Sequence, residues 1–190
     1  MGEEQSLRQK TAKGLFWGGL SNSLQQLLGL LFGIVLARLL SRSDYGMIGM
    51  LTIFSTIANI LQESGFISAL VNRKNASDKD YNAVFWFSVS CSAILYILLY
   101  LSAPLIAEFY RTPELVPLSR LTFLSFFIAS LGIAPRAILF RNLKVKENTI
   151  ISLSSLTLSG ITAIVLAVNG FAYWGIAIQS LVYVAVVVIL

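Results

Sequence analysis

The side chains in this sequence that could do chemistry are few, and they lie inside apolar runs. Gly49, Thr52, Thr56, Asn59 and Glu63 follow one another at steps of three and four, which gathers them on one stripe of a helix. Upstream, Gly14, Gly18, Asn22, Gln25, Gly29 and Gly33 keep the same rhythm. Two readings suit such faces. Glycines in the G-x-x-x-G spacing of Gly29 and Gly33 let another helix approach closely, and carboxamides need hydrogen-bond partners that lipid cannot supply. The face is therefore either a packing seam or the wall of a polar cavity, with Asn22, Gln25, Thr52, Thr56, Asn59 and Glu63 as the cavity or substrate-path residues. Glu63 is the one acid well inside an apolar run, where an ionised carboxylate costs on the order of 3 kcal/mol at mid-membrane. It is expected either to pair with Arg73 or Lys74 or to serve ion coupling or substrate contact.

A second group is basic. Pro135 to Lys146 alternates cations with apolar residues, and Arg136, Arg141, Lys144 and Lys146 make it a cytoplasmic basic loop. Such a segment either attracts anionic head groups and phosphates or only signals topology. Catalysis has no comparable constellation. The sequence has no histidine and one cysteine, Cys91, so metal sites and disulfide frameworks lack their residues. Nucleophile elbows, phosphate-cradling loops and zinc-protease helices are likewise missing. The expectation is a protein that is not an enzyme and holds no cofactor or metal.

The elements that must position these residues follow from composition. Of 190 residues 56% are hydrophobic and only 12% charged, with a mean hydropathy of +0.78; a soluble domain carries about a quarter of its residues as charges. Six runs reach the roughly 20 residues that a helix needs to cross a bilayer: Ala12 to Ala37, Tyr45 to Val71, Tyr81 to Ala103, Pro113 to Ile133, Thr149 to Val168 and Phe171 to Leu190. This gives an all-α membrane protein, a bundle of six transmembrane helices. The first run is too long for a cleaved signal peptide and reads as an uncleaved span.

Local chemistry marks the boundaries. Ser41 with Asp44 and Ser77 with Asp80 have capping-box spacing, and Thr112-Pro113-Glu114 offers another helix start. Pro104 and Pro135 mark ends or kinks, and Asn169-Gly170 a tight reversal. Trp17, Trp86 and Trp174 fall near span ends, as interfacial anchors do. With a cytoplasmic amino terminus, the tail and the second and fourth connections place ten of the fourteen lysines and arginines inside, leaving Arg38, Arg42, Arg111 and Arg120 outside. The net charge of +5 thus reports topology, and no nucleic-acid partner is expected. The last run lacks a polar flank after Tyr183, which suggests that a longer chain continues beyond Leu190.

Three stretches carry a family resemblance. Leu36-Ala37-Arg38-Leu39-Leu40-Ser41-Arg42-Ser43-Asp44-Tyr45-Gly46 follows the first run, Glu63-Ser64-Gly65-Phe66-Ile67-Ser68-Ala69-Leu70-Val71 ends the second, and Ala134 to Lys144 follows the fourth. The A-R-x-L-x-x-x-D-Y-G and P-x-A-x-L-x-R-x-L patterns within them resemble the polysaccharide-exporting flippases of the multidrug, oligosaccharidyl-lipid and polysaccharide superfamily. The second pattern points to the colanic-acid and teichuronic-acid type, although Val145 stands where phenylalanine is usual. The resemblance implies one lobe, residues 1–190, of a two-lobed exporter of twelve or more helices, with the carboxy-terminal lobe missing. It also implies a multi-pass protein of the bacterial inner membrane. The implied cargo is a polyprenyl-diphosphate-linked oligosaccharide, a repeat unit of O-antigen, capsule or exopolysaccharide, moved between leaflets by alternating access among membrane lipids. The alternative is an ion-coupled exporter of organic cations from the same superfamily, for which Glu63 would be the natural cation or proton site.

Overall fold

In lipid every backbone N–H and C=O must be satisfied within the chain, so long apolar runs become helices. The computed structural model describes residues 2–62, 78–142 and 144–190. Among them the chain forms seven helices and no strand: α1 (Gly2–Leu39), α2 (Arg42–Gln62), α3 (Asp78–Phe109), α4 (Leu115–Leu131), α5 (Ile133–Arg141), α6 (Val145–Val168) and α7 (Ala172–Ile189). Trp17–Leu39, Lys79–Phe109, Val145–Val168 and Ala172–Ile189 are each long and apolar enough to cross a membrane, and α4 with α5 makes a fifth span if the bent pair counts as one. The remaining expected span, Tyr45 to Val71, begins in α2 and runs on outside the described residues.

Helix starts and stops follow the sequence closely where both partners are local. Ser41 caps α2 as expected: its backbone N–H donates to Asp44 Oδ2 at 2.8 Å and its hydroxyl to the same oxygen at 2.6 Å, while the Asp44 N–H donates to Ser41 Oγ at 3.2 Å. This reciprocal exchange satisfies two donors that a helix start leaves open. The α6–α7 reversal sits at Asn169-Gly170, where Gly170 takes φ +83°, a conformation that costs glycine nothing. Ser77, the first half of the other expected capping box, lies outside the described residues.

Elsewhere the chain departs from expectation. Helix α3 runs through Pro104 to Phe109, because a transmembrane helix tolerates proline when neighbouring groups take up the freed carbonyls. Helix α4 begins at Leu115 rather than Pro113, and Thr112 bonds the Tyr110 carbonyl through its hydroxyl at 3.1 Å instead of capping. The backbone turns first, through Arg111 at φ 53°, so the side chain of Thr112 points away from the new helix. Most of the segment read as the fourth connection is helical, bent 46° from α4. Pro135 falls in the first turn of α5, where a missing N–H breaks no helical bond.

Two clusters hold the bundle. Met47, Leu51, Ile106, Leu115, Leu118, Phe123 and Phe126 join α2, α3 and α4, with Ala177 of α7 against them. On the other side Leu36 of α1 and Leu40 just after it meet Ala163 of α6. Phe32, one turn before Leu36, lies over Gly160, where a Cβ atom would stand 2.5 Å from the ring. Glycine is the residue that admits this contact. Outward, Leu27, Leu30 and Leu31 of α1 and Ile94, Leu98, Leu101 and Leu105 of α3 are each more than half exposed. An apolar surface of that extent needs lipid around it.

Candidate substrate path

Helix α1 packs along α6, whereas α2 packs against α4 and α7. The two helices that carry the expected polar stripes thus form no extended contact with each other. Asn22 is exposed on α1, and Thr52 and Thr56 are exposed on α2. Both threonine hydroxyls donate to their own helix, Thr52 to the Ile48 carbonyl at 3.0 Å and Thr56 to the Thr52 carbonyl at 2.8 Å. Gln25 is half-buried and donates to Ser21 Oγ at 2.9 Å. No described atom lies within 4 Å of a Cβ built on Gly18, Gly29, Gly33 or Gly49, so this face is not a packing seam among the described helices. The side chain of Asn59 and the whole of Glu63 lie outside the described residues. Asn22 is the informative member, because a threonine hydroxyl places its one donor within the helix, whereas a carboxamide has two donors and an acceptor oxygen to satisfy.

The basic group is gathered on one end of the bundle. Arg141 Nη1 donates to the Tyr81 hydroxyl at 3.0 Å, tying α5 to the start of α3. The Lys146 ammonium stands 6.0 Å from the centre of the Trp17 ring, within cation–π range. Lys144 and Lys146 are exposed and Arg136 is half-buried. Arg136 lines a cavity of about 330 Å³ with Asn148, Ile151 and Val188. Trp17 thus behaves as an anchor at this end, and Trp86 is 66% exposed. Trp174 instead packs against the core.

A further cleft was not anticipated from the sequence. Between α2, α4, α6 and α7 lies a cavity of about 520 Å³ lined by Ser55, Thr122, Ser125, Ser159, Gln179, Ser180 and Tyr183 with apolar neighbours. Ser125 donates to the Thr122 carbonyl at 2.6 Å and Ser159 to the Leu156 carbonyl at 3.1 Å. These hydroxyls are therefore paid up as donors while their oxygen lone pairs remain able to accept. The carboxamide of Gln179 has no partner among the described residues. The signal was present in the serine and threonine steps of α4 and α6, Ser119, Thr122 and Ser125 and then Ser152, Ser155 and Ser159. Hydroxyls that bond their own helix carry no helical signature distinct from small packing residues, so spacing alone does not reveal the cleft.

The arrangement offers hydrogen-bond acceptors, carboxamides and cations within an apolar bundle. It suits binding and passage of a polar group more than bond making. Among the described residues no group of three histidine, cysteine, aspartate or glutamate side chains could hold a metal ion.

The lipopolysaccharide biosynthesis protein WzxC of Escherichia coli K12 is 25% identical over 93% of this chain and 35% of its own length. The teichuronic acid biosynthesis protein TuaB of Bacillus subtilis is 27% identical over 67% of this chain and 26% of its own. The succinoglycan biosynthesis transport protein ExoT of Rhizobium meliloti is 26% identical over 78% and 30% respectively. This chain therefore spans about a third or less of the relatives' length, and no solved structure matches it. Residues 35–190 match the family described as polysaccharide biosynthesis protein, a stretch that runs from the end of α1 through α7. With that match added to its apolar helices, the chain is a multi-pass bacterial membrane protein and belongs to the polysaccharide biosynthesis protein family, the flippase family that its motifs resemble.

Proposed function

We propose that the chain forms the amino-terminal lobe of a transporter that flips a polyprenyl-diphosphate-linked oligosaccharide from the inner to the outer leaflet by alternating access. One observation carries the structural part of the reading: Asn22 stands exposed on a membrane-spanning helix with its small-residue face uncovered by any described helix. A carboxamide in that position needs water, sugar hydroxyls or a second polar wall. The names of the relatives support a polysaccharide cargo, the lipid-linked form is what the family resemblance implies, and a sugar head group requires a hydrogen-bonding route while its lipid tail stays in the bilayer. A second lobe facing α1 and α2 would close that route, with the site near mid-membrane as in two-lobed transporters generally.

In this arrangement Asn22, Gln25, Thr52, Thr56, Asn59 and Glu63 form one wall. Arg136, Arg141, Lys144 and Lys146 lie at the cytoplasmic mouth, where positive potential draws in the diphosphate. The amino terminus is cytoplasmic by the inside-positive distribution. No bond is made or broken; binding energy is exchanged between two orientations of the lobes.

The test is complementation with the full-length protein in a strain lacking its own flippase. Wild type restores surface polysaccharide, Asn22→Leu lowers it at least several-fold at equal expression, and Glu63→Gln lowers it as well. Full surface polysaccharide with Glu63→Gln removes that residue from the path. Absence of rescue by the wild type in its native host overturns the assignment.

A further inference from the structure

Arg120 has no role in the path just described, yet its surroundings are unusual for an arginine in a spanning helix. It lies in the second turn of α4 and is half-buried. Its guanidinium carbon sits 4.2 Å from the centre of the Tyr100 ring of α3, a cation–π contact that holds the group against that ring. Nε is buried and has no hydrogen-bond partner among the described residues. No described carboxylate pairs with the guanidinium, and the exposed Glu108 and Glu114 at the nearby turn leave it alone. The terminal nitrogens stand at the α3–α4 seam, with no hydrogen bond from them among the described residues.

Depth and neighbours narrow what can meet them. Arg120 is five residues past the start of α4, about 7–8 Å along the axis, and helical side chains lean toward the amino-terminal end. Its donors thus reach from within the span toward the head groups of the leaflet that holds the α3–α4 turn. Beside Tyr100, itself 38% exposed, Ile97 and Ile94 present strongly exposed apolar side chains that lead from its level toward the middle of the span. A planar set of N–H donors above such side chains matches a phosphate joined to an acyl tail.

We propose that Arg120 and Tyr100 form a binding site for the head-group phosphate of an anionic glycerophospholipid at the α3–α4 seam. The guanidinium donates to the phosphate oxygens, Tyr100 holds it against its ring, and the acyl chain lies along α3. This site is separate from the polar stripes of α1 and α2 and stands whether or not those carry an oligosaccharide.

Native mass spectrometry of the full-length protein tests the site with phosphatidylglycerol, phosphatidylcholine and geranylgeranyl diphosphate as probes, together with photo-crosslinking by a phosphatidylglycerol analogue. The wild type retains phosphatidylglycerol over phosphatidylcholine, and the crosslink maps to the segment of α3 and α4 that holds residues 96–127. Arg120→Gln lowers phosphatidylglycerol occupancy roughly five-fold, the scale of one basic residue at an anionic surface. Arg120→Lys keeps the charge without the planar fork and lowers it less, which keeps the test decisive should the glutamine variant fold poorly. Equal retention of both phospholipids by the wild type, unchanged occupancy in both variants, or crosslinks confined to other segments overturns the site. Displacement of the crosslink by geranylgeranyl diphosphate, without a preference for phosphatidylglycerol, reassigns it to a tailed diphosphate and overturns the phospholipid assignment.

Discussion

Helices α1 and α6 both carry glycines among apolar residues, and they use them in opposite ways. On α6, Gly160 and Ala163 are buried, and Phe32 and Leu36 of α1 pack into the space they leave. On α1, Gly29 and Gly33 face no described atom within 4 Å. The G-x-x-x-G pattern that reads most strongly as a packing seam is thus uncovered, while a lone glycine in a serine-rich helix forms the seam. Small residues create room for close approach, but the sequence of one helix does not say which neighbour fills it. The closed seam holds α1 to the bundle. The open face is left uncovered by every described helix.

Filling the closed seam should have the largest effect. A methyl at Gly160 meets the Phe32 ring at 2.5 Å, so Gly160→Ala must push the ring or the whole of α1 away. The expected loss is about 1–3 kcal/mol, as for overpacked cores, read as a lower unfolding midpoint of the full-length protein in detergent. Adding Phe32→Leu should recover part of it, and the double-mutant cycle should show a coupling of about 0.5 kcal/mol or more. Strict additivity of the two changes would place the ring elsewhere and end the contrast between the seams.

The cap that follows α1 comes next. Asp44→Ala removes the acceptor for the Ser41 N–H and hydroxyl, and loss of a cap costs about 1 kcal/mol. Asp44→Asn retains an acceptor oxygen and should lose less than half as much in the same measurement. If the two variants unfold alike, the charge of Asp44 rather than its hydrogen bonds matters at this turn, and the A-R-x-L-x-x-x-D-Y-G segment owes its aspartate to something other than helix initiation.

What the sequence disclosed follows the range of the interactions involved. The Ser41 and Asp44 cap and the Asn169-Gly170 reversal are complete within four residues, so residue types alone determine them. Helix α5 was obscured because proline usually breaks helices; its tolerance depends on falling in a first turn, and that boundary is set by the bend at Gly132. The hydroxyl-lined cleft was further from reach. Ser55, Ser125, Ser159 and Gln179 come from four helices, and nothing in any one of them states that they converge. Glu63 and Asn59 stand out in the sequence because a charge or carboxamide inside an apolar run is costly wherever in the fold it falls.

The smallest effect is expected on the open face, and it separates the two readings of that face. With no atom near either position, Gly29→Ala and Gly33→Ala introduce no clash within the described chain. Alanine favours helix over glycine by about 0.5–1 kcal/mol per site in water, but an unfolded transmembrane helix remains largely helical in its bilayer, so the gain should shrink to about 0.5 kcal/mol or less. Thermal unfolding of the full-length protein should therefore move little, and slightly upward. A loss comparable to that of Gly160→Ala would mean that a helix outside the described residues lies directly on Gly29 and Gly33. The face would then be a seam between helices, and the wall of the polar route would have to be sought at the serine-lined cleft instead.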